Sequence, residues 1–219
     1  MIDLYTIGHS NHPLPRFVEL LQRHVIDLVA DVRSVPHSRR HPQFNKEALA
    51  ASLQAAGIGY EFLGRELGAR AEDPMLYENG RVSWAKLAAT GLFQFGLDRL
   101  CALAASKRTA IMCAEKEPLD CHRTLLVAQA LVRSMGTDPL SGSVPGLGQS
   151  GSDPNGGSDP IRVVEVMHIH ADGALESHRD CLLRLVAASK LPADDLFRSE
   201  DDRIAEACRF REEKIAFRR

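Results

Sequence analysis

One stretch decides the fold that this sequence predicts: Thr109-Ala-Ile-Met-Cys-Ala-Glu-Lys-Glu-Pro-Leu-Asp-Cys-His-Arg123. A short apolar run ends at Cys113, a turn containing Pro118 follows, and Asp120 stands where a helix N-cap is expected. The apolar residues after Arg123 predict a buried helix. A strand, a turn and a helix in this order are typical of a parallel sheet. In such sheets, ligands bind at the carboxyl ends of strands and at the N-termini of the following helices.

The rest of the chain repeats this alternation of strand and helix. Further apolar runs predict strands at 4–7, 28–32, 60–63 and 161–169, with helical spacing between several of them. The run at 28–32 is broken only by Asp31, which suits a central strand covered on both faces. We therefore predict a single α/β domain, residues 1–219, with a mostly parallel β-sheet covered by helices on both faces.

Three segments are expected to depart from this regular pattern. Residues 136–160 contain seven Gly, five Ser and four Pro, which predicts a flexible insertion. Residues 84–105 predict one long helix or two short ones, interrupted near Gly91 or Gly96. The charged C-terminal segment is expected to be partly helical, at 203–215. The insertion is interpreted as an elaboration of one domain because the strand after it suits the same sheet.

Composition limits the classes of protein that this chain can represent. A formal net charge of -2 gives no general attraction to nucleic acid or to anionic membranes. No apolar run approaches the roughly 20 residues of a membrane-spanning helix, and no signal peptide is recognisable. The five cysteines are an odd, scattered set, which predicts reduced thiols. We expect a cytoplasmic protein without membrane partners.

The opening stretch holds the candidate catalytic group, Cys113, Glu115, Cys121, His122 and Arg123. A helix start and a nearby cation lower a thiol pKa, so either cysteine is a candidate nucleophile. The imidazole is a candidate acid or base, the carboxylate its orienting partner, and the guanidinium a clamp for an oxyanion or phosphate. The structural alternative is that these side chains fill space and cap the helix.

Metal binding is a second interpretation of the same residues. Cys113, Cys121 and His122 offer three soft ligands, but their spacing is not a usual zinc pattern, so no residue is assigned as a metal ligand. A separate zinc site is conceivable at the later group of His168, His170, His178 and Cys181. Histidines at strand ends more often form hydrogen bonds.

Polar residues also follow two other predicted strands. If the sheet is parallel, these residues open on the same edge as Cys113, which makes them candidates for binding an anionic substrate: Gly8, His9, Ser10, Asp31, Arg33, Ser38 and Arg39. The glycine would permit close backbone approach to a ligand. The alternative is that Asp31 and Arg33 form an internal ion pair and that the remaining arginines are solvated.

The separated motifs, taken in order, resemble a bacterial and archaeal family named domain of unknown function 488. The matching pieces are Tyr5 to Ser10, Asp31 to Arg33 with Pro36 and Ser38-Arg39, Phe44, Gly57-Ile58 with Tyr60, Leu67-Gly68, Phe95 to Leu97, Met112 to Glu115, Cys121 to Arg123, and His168-Ile169 with Asp172-Gly173 and His178. The resemblance implies a compact α/β domain. It implies no activity, because none is established for that family.

These observations predict an enzyme with a Cys/Glu/Cys-His-Arg site and an anion-binding cleft, for a phosphate-bearing or nucleotide-like ligand, at the carboxyl edge of the sheet. One alternative is a module that binds nucleic acid or an acidic partner through the loop from Arg33 to Arg40, although the net charge does not favour it. Another is a metal-binding protein. The identity of any cofactor and the oligomeric state are not determined by these residues.

Overall fold

A computed structural model describes residues 2–134, 164–189 and 198–219 of the chain. The strands in these ranges are β1 (Ile2–Gly8), β2 (Leu28–Asp31), β3 (Gly59–Phe62), β4 (Tyr77–Glu78), β5 (Arg81–Val82), β6 (Thr109–Cys113), β7 (Val164–Ile169) and β8 (Leu175–Ser177). Six of them form one sheet in the order β3-β2-β6-β1-β7-β8. The first five of these run parallel and β8 is antiparallel to β7, while β4 and β5 form a separate hairpin.

Helices connect the parallel strands. They are α1 (Leu14–Arg23), α2 (Lys46–Ala55), α3 (Gly64–Leu67), α4 (Trp84–Ala88), α5 (Gly91–Ser106), α6 (Gln129–Ser134), α7 (His178–Ala188) and α8 (Glu200–Ile215). Short 3-10 turns occur at Pro42–Phe44, Pro74–Leu76 and Pro118–Asp120, and a π-helical segment, Arg123–Ala128, precedes α6. Since β1, β2, β3, β6 and β7 are all parallel, each connection between them must cross a face of the sheet.

The sheet separates two hydrophobic cores, because successive side chains of a strand point to opposite faces. On one face, Tyr5 and Ile7 of β1 pack with apolar residues of α1 and α2. On the other face, Leu4 of β1 and Ile111 of β6 pack with residues of α5, α6, α7 and α8. The predicted α/β class, with a mostly parallel sheet covered on both faces, is confirmed.

The irregular segments follow local signals. Of the two arrangements predicted for residues 84–105, the structure has the two helices, α4 and α5. They are interrupted just before Gly91, where the hydroxyl of Thr90 accepts a hydrogen bond from the Phe93 amide at 3.2 Å. The predicted C-terminal helix is α8, which begins with a capping box between Ser199 and Asp202. The predicted insertion at 136–160 lies outside the described residues.

The helices of the described ranges give no candidate for a membrane span, because none of them combines sufficient length with sufficient apolar character. This observation agrees with the hydropathy of the sequence.

Candidate functional site

The carboxyl ends of β1, β2 and β6 lie side by side. In the sheet register, Gly8 is beside Cys113, and Asp31 is beside Met112. The chain that follows β1 continues along the chain that follows β6, since the amides of His9 and Ser10 donate to the carbonyls of Cys113 and Ala114, both at 2.9 Å. Three of the predicted polar stretches therefore meet at one edge.

Gly8 is required by this close approach of two backbones. A Cβ atom at position 8 would lie 1.8 Å from the carbonyl oxygen of Glu115, a separation that real Cβ atoms do not show. The neighbouring backbone, rather than a ligand, thus occupies the space that the glycine leaves open. Its predicted role in substrate binding is not supported by this contact.

Four reactive side chains converge just beyond β6; we call Cys113, Glu115, Cys121 and His122 the cysteine cluster. One side-chain atom from each lies within 4.8 Å of the corresponding atom of every other member. The Nδ1 atom of His122 is 3.6 Å from the Sγ atom of Cys113 and 3.9 Å from that of Cys121. The Sγ atom of Cys121 and Oε2 of Glu115 share a hydrogen bond of 2.9 Å.

The local backbone explains how this segment turns back on itself. Asp120 is not the N-cap that the sequence predicted. A 3-10 turn begins two residues earlier, at Pro118, and Asp120 is its last residue. Cys121 then has an extended backbone, its carbonyl accepts from the amides of Thr124 and Leu125, and its Sγ accepts from the Arg123 amide at 3.4 Å. The thiol therefore occupies the place of a capping side chain.

Arg123 is fully buried and holds the loop rather than facing a ligand. Its Nη1 donates to the carbonyl of Glu115 at 2.7 Å, and its Nη2 donates to that of Lys116 at 3.3 Å. From the outside, Arg184 of α7 pairs with Glu117, and Arg211 of α8 pairs with Asp120. Three arginines thus fix the loop that carries the carboxylate of the cysteine cluster.

The imidazole of His122 has a defined orientation. Its Nε2 atom is 3.0 Å from the carbonyl oxygen of Val32, which follows β2. Because a carbonyl only accepts, Nε2 must carry the hydrogen, and in the neutral ring the lone pair is then on Nδ1. This lone pair lies on the side of the two sulfur atoms.

The groups of the cysteine cluster shift one another's protonation. Burial raises the pKa of Cys113 well above its ordinary value, and the neighbouring Cys121 and Glu115 raise it further. Burial opposes ionisation of Cys121 as well. However, a hydrogen bond with Cys113 and the charges of Arg123 and His122 bring the pKa of Cys121 well below its ordinary value. Burial and the charge of Cys121 raise the pKa of Glu115, while that of His122 is raised because Cys121 and Glu115 outweigh its burial.

Asp31 and Arg33 form the buried ion pair that was the alternative to substrate binding. The guanidinium donates from Nη2 to Asp31 Oδ2 at 2.7 Å and from Nε to Oδ1 at 2.9 Å. It also donates to the carbonyl of Phe44 at 2.8 Å and to Nε2 of His9 at 3.2 Å. Tyr60, which the sequence did not indicate as a site residue, donates to Asp31 at 2.7 Å.

His9 is held neutral by its surroundings. Its ring stacks on that of Phe44 with centroids 4.3 Å apart, and its Nδ1 donates to the carbonyl of Ser10. Burial and the charge of Arg33 lower the pKa of His9 to about 4. An uncharged imidazole that accepts from Arg33 supports the position of the guanidinium and adds no positive charge of its own.

The other predicted binding residues are placed elsewhere. The Ser10 hydroxyl donates to Asn11, and the Ser38 hydroxyl accepts from the amide of His41 within its own loop. Arg39 is exposed. Among the described residues that line the cavity next to the cysteine cluster, none of these three is present.

This carboxyl-edge cavity has a volume of about 200 Å³. Four residues of the predicted site line the cavity: Cys113, Glu115, His122 and Arg33. Cys121 is not part of the lining. The described lining also includes residues that the sequence did not indicate, Ser34, Val35, Ala69, Arg70, Trp84, Ala114, Asp120, Ile215 and Phe217. Ser34, Val35, Ala114 and Asp120 are neighbours of predicted site residues in the chain. No local signal could have indicated the other five, because they reach this edge from the chain after α3, from α4 and from the C-terminal end.

His168 and His178, where hydrogen bonding was favoured over a separate zinc site, belong to a chain of hydrogen bonds, which we call the histidine chain: Thr6, His168, His178 and Gln129. The Thr6 hydroxyl lies 2.7 Å from His168 Nδ1, His168 Nε2 lies 3.1 Å from His178 Nδ1, and His178 Nε2 lies 2.9 Å from the side-chain oxygen of Gln129. His170 pairs with Glu176. Within residues 2–134, 164–189 and 198–219, no group suited to a metal forms around these histidines.

Comparison with known proteins identifies a family but no characterised relative. A family model described as "Domain of unknown function DUF488" matches residues 13–130, which is more than half of the chain. The match contains α1, β2, β3, β6 and the whole cysteine cluster. No curated protein and no solved structure matches the chain.

Proposed function

This chain belongs to the family described as domain of unknown function DUF488, and we propose that it is an enzyme that acts on a small anionic molecule in the carboxyl-edge cavity. A single observation carries the proposal. Reactive side chains from the cysteine cluster and two arginines line the same cavity. Reactive and cationic groups that converge in one pocket are the combination that a catalytic site requires.

The dimensions of the cavity favour a small substrate. Its volume of about 200 Å³ corresponds to the space of roughly seven water molecules in the liquid. Polymers would be able to present only one residue or end group at a time. The proposed substrate is therefore a small molecule or a terminal group with a phosphate or a carboxylate.

Arg70 is the cation best suited to contact such an anion. Its guanidinium lies 4.8 Å from the ring centre of Phe217, and the side chain is exposed. Stacking on an aromatic face orients the planar group and leaves its in-plane N–H groups for an anion. Arg33, in contrast, uses most of its donors on Asp31, Phe44 and His9, so it supplies a fixed positive charge to the wall of the cavity.

Calorimetric titration with phosphate, pyrophosphate and adenosine monophosphate tests the binding part of this proposal. We expect saturable binding of at least one anion, weakened about tenfold by Arg70→Gln because one charge-assisted hydrogen bond is lost. Arg65→Gln is the matched control, since Arg65 is an exposed arginine of α3 outside the described lining. Equal effects of the two substitutions, or no binding, would contradict the proposal.

Catalysis is tested by a screen of esters and amides of whichever anion binds. Glu115→Gln is expected to lower turnover by at least about 100-fold, because its carboxylate is an acid-base group that lines the cavity beside both cysteines. An unchanged circular dichroism spectrum would separate this effect from unfolding. Full turnover by the variant would exclude Glu115 from the reaction.

Binding of the alternative partner, nucleic acid or an acidic protein, would use fewer arginines than the sequence indicated. Of the loop from Arg33 to Arg40, Arg33 is directed inward, and Arg39 and Arg40 are exposed. Binding through these two would weaken steeply with salt. A filter-binding assay at low and high salt, with Arg39→Ser as the variant, tests this second proposal.

A further inference from the structure

The geometry of the cysteine cluster points to a zinc ion as the reactive group of this enzyme. We propose that Cys113, Cys121 and His122 bind one zinc ion and that Glu115 occupies a fourth, exchangeable position on the side of the cavity. A catalytic role for this zinc ion rests on the proposed function. Its binding does not, since metal can be measured without a substrate.

The separations between His122 and the two cysteine sulfurs match the edges of a tetrahedral site. Zinc bonds of 2.3 Å to sulfur and 2.0–2.2 Å to nitrogen or oxygen place neighbouring ligand atoms about 3.5 to 3.8 Å apart. The Nδ1 atom of His122 lies 3.6 and 3.9 Å from the sulfurs of Cys113 and Cys121. The contact of 2.9 Å between Cys121 and Glu115 is shorter than such an edge, because these two share a hydrogen bond that a metal ion would replace.

The orientation of His122 is that of a metal ligand. Its Nε2–H donates to the carbonyl of Val32, and this contact directs the lone pair of Nδ1 towards the two sulfurs. Metal-bound histidines almost always donate their other ring N–H to a carbonyl, a carboxylate or a water, and this bond fixes both tautomer and ring angle. The carbonyl of a neighbouring strand serves that purpose here.

Charge balance supports a divalent ion at this position. Two thiolates and one carboxylate carry three negative charges, and Arg123, which is fully buried, supplies one positive charge beside them. A divalent ion supplies the remaining two. Among divalent ions, two sulfurs and one imidazole favour zinc over the hard cations magnesium and calcium.

The chain topology explains why the ligand spacing differs from that of a zinc finger. One cysteine ends strand β6, whereas the other cysteine and the histidine begin the following helical segment. The intervening loop folds back through the 3-10 turn at Pro118–Asp120, so the pairing is set by the strand-turn-helix unit and not by a tight knuckle. The spacing of the ligands along the chain therefore does not indicate this zinc site, although the fold brings them together.

The position of Glu115 makes the site suited to catalysis. Glu115 and Cys113 line the cavity, whereas Cys121 lies behind them and is buried. Catalytic zinc sites hold three protein ligands and keep a fourth position for water or substrate. A carboxylate at that position can give way to a substrate atom and remain beside it.

The test is elemental analysis of the untagged full-length protein, purified without chelator and dialysed against zinc, together with absorption spectra after cobalt substitution. We expect one zinc ion per chain and a thiolate-to-cobalt charge-transfer band. Cys113→Ser, Cys121→Ser and His122→Gln should each reduce zinc affinity by more than about 100-fold. Cys181→Ser, which changes another fully buried thiol, is the matched control and should retain the zinc.

The outcomes separate this inference from the proposed function. A wild-type protein that binds neither zinc nor cobalt overturns the zinc site, even when anions bind in the cavity. Zinc that persists in both cysteine variants overturns it as well. Zinc held by these ligands in a protein that binds no anion supports the metal site and contradicts the proposed substrate class. The cobalt spectrum of the wild type decides the matter if a variant fails to fold.

Discussion

The cysteine cluster and the histidine chain are two polar groups that attach to neighbouring strands, yet they differ in how their atoms are paired. In the histidine chain, each donor meets an acceptor, from the Thr6 hydroxyl through both imidazoles to the amide oxygen of Gln129. In the cysteine cluster, two sulfurs, a carboxylate and a ring nitrogen converge on one another. A complete set of pairs stabilises a core, whereas converging lone pairs make a place for a cation.

The histidine chain and the cysteine cluster also differ in their access to solvent. Thr6 and His168 are fully buried and His178 is 6% exposed, so both imidazoles of the histidine chain are shielded from solvent and only Gln129 at its end is half-buried. The cysteine cluster instead forms part of the wall of the carboxyl-edge cavity. The same types of residue therefore serve structure in one region and chemistry in the other, and pairing and access are what distinguish them.

The largest expected difference between the two regions is the response to zinc. At a zinc concentration about 1,000 times the Kd, the free energy of unfolding should rise by about 4 kcal/mol, because the ion binds the folded state. Urea unfolding with zinc and with a chelator measures this rise. It should disappear in Cys121→Ser and persist in His178→Gln; the reverse pattern would place the metal at the histidine chain.

Removal of a member of the histidine chain should destabilise the protein without affecting the site. His178→Ala leaves His168 Nε2 without a partner in a buried position and removes the hydrogen bond to the half-buried Gln129, at a cost of about 3 kcal/mol. Urea unfolding measures the loss, and zinc content provides the control. A variant as stable as the wild type would show that the chain is dispensable for stability.

Acidification should act on the histidine chain through His178. Burial and the charge of Arg133 lower the pKa of His178 to about 4, below its unfolded value of 6.5. The unfolded state therefore binds more protons between these two values, and the stability present above pH 6.5 is lost as the pH falls towards 4. Between pH 7 and pH 5 the loss is about 2 kcal/mol from this residue.

His178→Gln isolates that contribution, because an amide retains hydrogen bonding without titrating in this range. The stability advantage of the wild type over this variant should shrink by about 2 kcal/mol from pH 7 to pH 5. Urea unfolding of both proteins in metal-free buffer at the two pH values measures it. Parallel pH profiles would mean that folding does not lower the pKa of His178.

The smallest effect is expected where the two regions are joined. Arg184 of α7, the helix that begins at His178, pairs with Glu117 in the loop of the cysteine cluster and with Glu176. Its side chain is 41% exposed, and such pairs contribute about 1 kcal/mol or less. Arg184→Gln should therefore change stability by less than that, and in a double variant its effect should add to that of His178→Ala. A clear departure from additivity would show that the regions are coupled.

Much of the fold follows from patterns along the chain. The continuous apolar run of β2 predicted a central strand, and the polar residues that follow β2 and β6 predicted a site at one edge of a parallel sheet. The proximity of Cys113, Glu115, Cys121 and His122 was one of the arrangements that the sequence predicted, since a strand, a short turn and a helix keep such neighbours in one region.

Local detail was less predictable where two signals compete. Asp120 has the residue type of an N-cap, but Pro118 favours the earlier 3-10 turn, so Cys121 is the residue whose side chain accepts from the helix start. Asp31 and Arg33 could equally have bound a substrate or each other. Their bidentate pairing in a buried position determines that they bind each other.

The sequence by itself determined the class of fold, the order of its elements and the set of reactive side chains, because these depend on periodicity and on neighbours in the chain. Only the tertiary structure decided that β6 inserts between β1 and β2, that the carbonyl of Val32 orients His122, and that Arg70, Trp84 and Phe217 close the cavity. The physical reason is that these contacts join segments far apart in the chain. These contacts form only when those distant segments pack together, and no local pattern in the sequence indicates such packing.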